Sequence, residues 1–238
     1  TEVQARDAAA LAAKLAAMPK VDPLACPDGA LAGVEQNLSV TPDGDDYADC
    51  RKDPADTRHA IVALAYHATD GDAQDDNGDG DYDLDVAVVD IASGDILAHR
   101  HEPNGIESDA VSLDRVWLDT ARYDLAPGRR AFGVRSSNWA HCWQCTYGVI
   151  TLSLYLRDGK QLRELLTTTV EETSNSEGEG GDEADTSTTS SVLCVGRDRH
   201  HGLADIVRSS DASCKKPSGD SRLWRYDGKQ YVELPAKD

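Results

Sequence analysis

Apolar and polar positions change their spacing near residue 59. Upstream, residues 5–18, "ARDAAALAAKLAAM", are dense in alanine and leucine. They predict one helix stopped by Pro19, with Leu11, Leu15 and Met18 on one face. Pro23, Pro27, Gly29, Gly33, Pro42 and Gly44 then mark a loop-rich stretch. Downstream, short apolar runs alternate with turn signals. "HAIVALAYHA" (59–68) is compatible with a strand. "DVAVVDI" and "ILAHRH" flank "ASGD" and read as a hairpin. Three more hairpins follow, around Pro127-Gly128, Asp158-Gly159 and Asp227-Gly228.

These signals predict a mainly β fold, an antiparallel β-sandwich or open barrel of roughly eight to ten strands with an N-terminal α-helix packed on it. Residues 1–58 form the helix and a disulfide-pinned loop region, and residues 59–238 form the β-rich domain. Within that domain, 171–191 ("EETSNSEGEGGDEADTSTTSS") has no large apolar residue and seven acidic ones. Such a segment buries too little surface to offset its ordering entropy, so it reads as a mobile acidic loop between two strands.

Charge narrows the choice of partner. The 238 residues carry 43 acidic and 24 basic side chains, a net charge of −19. Phosphate backbones and anionic membrane surfaces need a basic footprint, so nucleic acid and membrane partners are disfavoured. A basic protein or a metal cation is attracted instead. No run approaches the ~20 apolar residues of a membrane-spanning helix. The opening "TEVQARDAAALAAKLAAM" reads as a mature or trimmed start.

Six cysteines, Cys26, Cys50, Cys142, Cys145, Cys194 and Cys214, fall into close pairs along the chain. Nearest-neighbour bridging gives Cys26–Cys50, Cys142–Cys145 and Cys194–Cys214, although 15 pairings are formally open to six cysteines. Disulfides place the chain in an oxidising setting, periplasmic or extracellular. "HCWQC" reads as a short structural bridge, because a strand-like run follows where a redox motif needs a helix.

The stretch 75–86, "DDNGDGDYDLDV", crowds like charges. Calcium takes six to eight oxygens, and alternate residues of a tight loop can supply them. Asp75, Asn77 and Asp79 stand at loop positions 1, 3 and 5, Gly80 at 6, Asp81 at 7 through its carbonyl, and Asp83 at 9. Position 12 is Val86 in place of the bidentate Glu of an EF-hand, and the exit reads as a strand. The pattern resembles the calcium loops of integrin-type FG-GAP repeats. That resemblance covers about a dozen residues, implies that Asp83 closes the shell, and does not extend to a propeller.

Other constellations say less. His99 and His101 share a strand face, which suits a transition metal or a plain hairpin end. His200 and His201 point apart. Trp139 precedes the Cys142–Cys145 pair and Trp143 lies within it, and both are candidate anchors for a partner or core residues. No nucleophile, zinc-protease or phosphate-loop motif stands out. The expected function is therefore an exported, calcium-binding, non-enzymatic binding protein, an inhibitor or immunity protein for a basic partner. The alternatives are a calcium-stabilised hydrolase, marked by a pocket with converging titratable groups, and a structural surface module, marked by an open sheet edge.

Overall fold

Along β2 (His59–His67), successive side chains enter two different cores. Ile61, Ala63 and Ala65 join Val86, Val88, Val134 and Tyr155 inside a barrel. Ala60, Val62 and Leu64 face outward and pack on Ala30 and Val34 of α1 (Ala30–Leu38). Both faces of the neighbouring β3 (Tyr82–Asp90) are buried in the same way. This explains why "DVAVVDI" reads as a continuous apolar run rather than an alternating one.

The computed structural model describes residues 24–40, 46–67, 80–108, 111–140, 147–176, 185–214 and 221–235. The helix predicted over 5–18 lies outside them, and the helix observed is α1. The remaining barrel strands are β1 (Tyr47–Lys52), β4 (Ile96–Ile106), β5 (Ser112–Ala126), β6 (Arg129–Trp139), β7 (Tyr147–Asp158) and β8 (Gln161–Ser176). They form a nearly closed sheet in the order β1-β2-β3-β4-β8-β7-β6-β5, with β9 (Asp185–Ser190) added to β8.

The barrel consists of two antiparallel meanders, β1–β4 and β5–β8, joined at two seams. At one seam, β4 and β8 run parallel and pair at His99↔Gln161. At the other, β1 lies beside β5 without a backbone ladder. Side chains bridge it: the Tyr47 hydroxyl donates to Leu113 O at 2.7 Å, and Asp49 Oδ2 accepts the Leu118 N–H at 2.8 Å.

A second sheet of β10 (Val192–His200), β11 (Leu203–Ser209), β12 (Arg222–Tyr226) and β13 (Tyr231–Glu233) packs on the outside of the β7–β8 half. Leu152, Leu154 and Leu156 of β7 meet Leu203, Ile206 and Trp224 there. β5 serves both cores. Leu113, Val116 and Leu118 point into the barrel, and Tyr123 and Leu125 point toward the second sheet. The switch occurs at a bulge between Asp119 and Tyr123. Asp119 braces it by accepting from the Ala121 N–H (2.9 Å), the Tyr123 hydroxyl (3.0 Å) and Arg135 Nε (2.8 Å).

The predicted hairpins β3–β4, β5–β6, β7–β8 and β12–β13 are all present. Two readings are corrected. The loop-rich region before residue 59 contributes β1, which pairs with β2 from Tyr47↔Ala65 to Lys52↔Ala60. The acidic stretch 171–191 is not a loop throughout: β8 runs to Ser176 and β9 covers 185–190. Cross-strand contacts such as Thr173 Oγ1···Thr188 Oγ1 at 2.9 Å hold that ribbon, and no buried apolar residue is needed for it. The Cys26–Cys50 and Cys194–Cys214 bridges are formed, and Cys142 and Cys145 lie outside the described residues.

Candidate functional site

Of the proposed calcium ligands, Asp75, Asn77 and Asp79 lie outside the described residues, on the connection from β2 to β3. Asp81 and Asp83 are placed at its exit. Asp81 Oδ1 accepts the Ser108 N–H at 3.3 Å, and Gly80 N–H donates to Ser108 O at 2.9 Å. Asp83 lies within β3 opposite Tyr66 and is buried. Its Oδ1 accepts the Asn104 N–H at 2.9 Å, and its Oδ2 is 3.7 Å from His101 Nε2. Among the described residues, no group of three or more His, Cys, Asp or Glu side chains is placed to hold a metal ion.

His99 and His101 do share a face, as their spacing predicts. Both turn to buried Asp85: His99 Nε2 forms a short contact to Oδ1, and His101 Nδ1 is 3.3 Å from Oδ2. The Tyr66 hydroxyl donates to Oδ2 at 2.5 Å. Burial alone raises the Asp85 carboxyl pKa. Hydrogen bonds from His99 and Tyr66, with the charge of both histidines, outweigh it, and the net shift is downward. His200 Nδ1 similarly meets buried Asp205 at 2.7 Å. Trp139 packs against Gly148, where a Cβ would lie 2.7 Å from its ring, and its Nε1–H donates to Ser137 Oγ at 3.0 Å. Trp143 lies outside the described residues.

The larger feature is the β4/β8 seam. Beyond His99↔Gln161, both edges bulge. β4 carries extra residues at Pro103-Asn104-Gly105, so that Tyr82↔Ile106 follows Leu84↔Glu102. β8 bulges at Leu165 and again at Val170 against β7. Bulges bend strands and end pairing, so the two edges part. Asn104 takes the left-handed conformation (φ 50°), and Asp83 fixes it by accepting its N–H. The consequence is a cleft of about 530 Å³ whose polar lining includes Glu102, Asn104, Glu107, Asn138, Thr151 and Glu164.

One guanidinium pairs with two of its lining carboxylates. Arg100 Nε contacts Glu102 Oε1, and Arg100 Nη2 is 3.4 Å from Glu164 Oε2. The Tyr155 hydroxyl, at the fully buried core residue, donates to Glu102 Oε2 at 3.2 Å. Glu164 Oε1 accepts the Thr167 hydroxyl at 2.5 Å. Burial raises the Glu102 carboxyl pKa, and the neighbouring Glu164 charge adds to that rise. The Arg100 ion pair opposes it without overcoming it. Burial would lower the Arg100 pKa, but the Glu102 contact prevails and keeps it protonated. Glu107 sits exposed at the rim, and its carboxylate has no partner among the described residues.

The cleft thus holds three carboxylates against one cation that two of them already share. Sequence reasoning missed it, since acidic pairs are common in so acidic a chain. One signal was available: "EPNG" interrupts a strand with turn residues, and such an interruption marks a bulge. No helix among the described residues is long and apolar enough to cross a membrane. No protein-family model, curated protein or solved structure matches this chain.

Proposed function

We propose that this is an exported, non-enzymatic binding protein that takes a lysine or arginine side chain of a basic partner into the β4/β8 cleft. The observation carrying this reading is the excess of carboxylate there: Glu102, Glu107 and Glu164 line a cleft whose one bridging guanidinium, Arg100, is already shared. Glu164 is partly buried and only loosely met by Arg100 at 3.4 Å, so it keeps acceptor capacity for an incoming cation and attracts it more strongly than a carboxylate in bulk water does. The net charge of −19 steers a basic partner toward the surface and raises its association rate. An inhibitor or immunity protein for a basic toxin or hydrolase fits this chemistry.

Export rests on the two disulfides, whose persistence requires an oxidising setting such as the periplasm or the extracellular space. Calcium enters as a structural ion held by the 75–83 loop, with Asp75, Asn77, Asp79 and Asp83 giving side-chain oxygens and Asp81 its carbonyl. Its role there is to neutralise the clustered carboxylates at the start of β3.

A hydrolase is the second reading, favoured by the raised pKa of Glu102 beside Glu164. Both Glu102 oxygens are engaged, one by Arg100 and one by the Tyr155 hydroxyl, so neither is free to carry a proton to a substrate. Binding is therefore preferred. Calorimetric titration with tetralysine at low ionic strength tests it. The reading requires saturable binding that weakens about tenfold in Glu164→Gln, the size expected for loss of one charge-assisted contact. Equal binding to wild type and variant would refute it.

A further inference from the structure

We propose that the β5–β6 turn carries a separate site for a tetrahedral oxyanion, a phosphate monoester or its equivalent. The starting point is the way this acidic chain uses its arginines. Arg58, Arg100, Arg122, Arg135, Arg163 and Arg222 each lie within salt-bridge distance of a carboxylate. That is the expected outcome where acidic side chains outnumber basic ones 43 to 24. Arg115 lies over the Trp117 ring, and Arg130, Arg157 and Arg208 donate to carbonyls. Among the described residues, Arg129, Arg197 and Arg199 differ from all of these: no carboxylate, carbonyl or ring meets their guanidinium groups. Two of these three, Arg129 and Arg199, line one hollow of about 500 Å³ together with Arg130.

The hollow is built by distant parts of the chain. Pro127-Gly128 turns β5 into β6, with Gly128 in the left-handed conformation (φ 70°), and this presents Arg129 at the first position of β6. Arg199 arrives from β10 of the second sheet. Arg130 is anchored between them. Its Nη2 donates to Thr120 O (2.9 Å) and Ala121 O (3.3 Å), the carbonyls of the β5 bulge, and its Nε is buried without a hydrogen-bond partner. Asp124 is the hollow's one carboxylate, and Arg122 Nη2 already meets it at 3.0 Å.

Three guanidinium groups around a concave surface repel one another unless an anion joins them. Their planar forks suit phosphate and carboxylate oxygens, each of which accepts two parallel N–H bonds. The two free forks of Arg129 and Arg199, with the anchored charge of Arg130 beside them, offer more donors than one carboxylate uses. A dianionic tetrahedral group uses them more fully, so phosphate is preferred over acetate. The site shares no residue with the β4/β8 cleft, and its success or failure leaves that reading untouched.

The experiment is a ¹⁵N-resolved titration of the whole chain with sodium phosphate at fixed ionic strength, with sodium sulfate and sodium acetate as parallel arms. Saturable shifts centred on Gly128, Arg129 and Arg199, weaker with acetate, are expected. Arg129→Ala and Arg199→Ala, each melting as the wild type does, should weaken phosphate binding about tenfold, the scale of one charge-assisted contact. Arg197→Ala, which removes an unpaired arginine outside the hollow, should leave it unchanged. Non-saturating shifts, equal loss in Arg197→Ala, or no loss in either pocket variant would overturn the proposal.

Discussion

Asp49 of β1 accepts the backbone N–H of Leu118 of β5 at 2.8 Å, across the gap where the barrel ladder stops. A side chain does there what a neighbouring strand does elsewhere. Leu118 is buried, so its N–H has no water to turn to if the carboxylate is removed. Asp49→Ala should destabilise the fold by roughly 1–3 kcal/mol, the cost of one unsatisfied buried donor. Asp49→Asn keeps an acceptor and should recover part of the loss. Urea unfolding of both variants checks this.

Close packing predicts a second effect. A Cβ on Gly133 of β6 would lie 2.4 Å from Leu152 Cδ1 and 3.1 Å from Asp119 Cβ. Leu152 is fully buried, and Asp119 holds the β5 bulge, so neither yields freely. Gly133→Ala should cost about 1–3 kcal/mol. In a Leu152→Ala background the same change should cost measurably less, because the clashing methyl is gone. A double-mutant cycle on unfolding midpoints reads the difference.

Much of this architecture is legible in the chain, and the parts that are not share a cause. The β3–β4, β5–β6, β7–β8 and β12–β13 hairpins follow from local turn chemistry at Ser93-Gly94, Pro127-Gly128, Asp158-Gly159 and Asp227-Gly228. The nearest-neighbour bridges Cys26–Cys50 and Cys194–Cys214 likewise follow from short spacings. β1 escaped notice because "YADCRK" buries only Cys50 fully, and its pairing depends on β2 and on Asp49. β9, "DTSTTS", has no apolar residue, and its ladder with β8 supplies the order. The cleft depends on β4 and β8 meeting at one point and then parting, and contact between strands some sixty residues apart leaves no local pattern.

Calcium makes a separate prediction. A ligand that binds only the folded chain raises its melting temperature by mass action. Asp79→Ala should therefore melt below the wild type in millimolar calcium and match it in chelator. Equal melting of the two in calcium would remove the ion from the account.

Glu102 sets a pH dependence of opposite sign to that of Asp85. Its folded pKa is raised, so the folded chain binds the proton more tightly than the unfolded chain, whose carboxyl titrates at about 4.3. Its contribution to stability falls as pH rises from about 4.3 through the folded value. Asp85 has a lowered folded pKa, so its contribution is present above about 3.9 and is lost as pH falls through the folded value. Glu102→Gln should flatten the decline above pH ~4.3 and leave the acid limb in place. Unfolding free energies measured from pH 3 to 7 separate the two.

Residue-resolved mapping decides whether the β4/β8 cleft receives a basic side chain. Titrating ¹⁵N-labelled protein with tetralysine should move the amides of Glu102, Asn104, Glu107, Glu164 and Thr167 in a saturable way, and the movement should vanish in Glu102→Gln/Glu164→Gln. Shifts spread evenly over the acidic surface, or undiminished in the double variant, would contradict it.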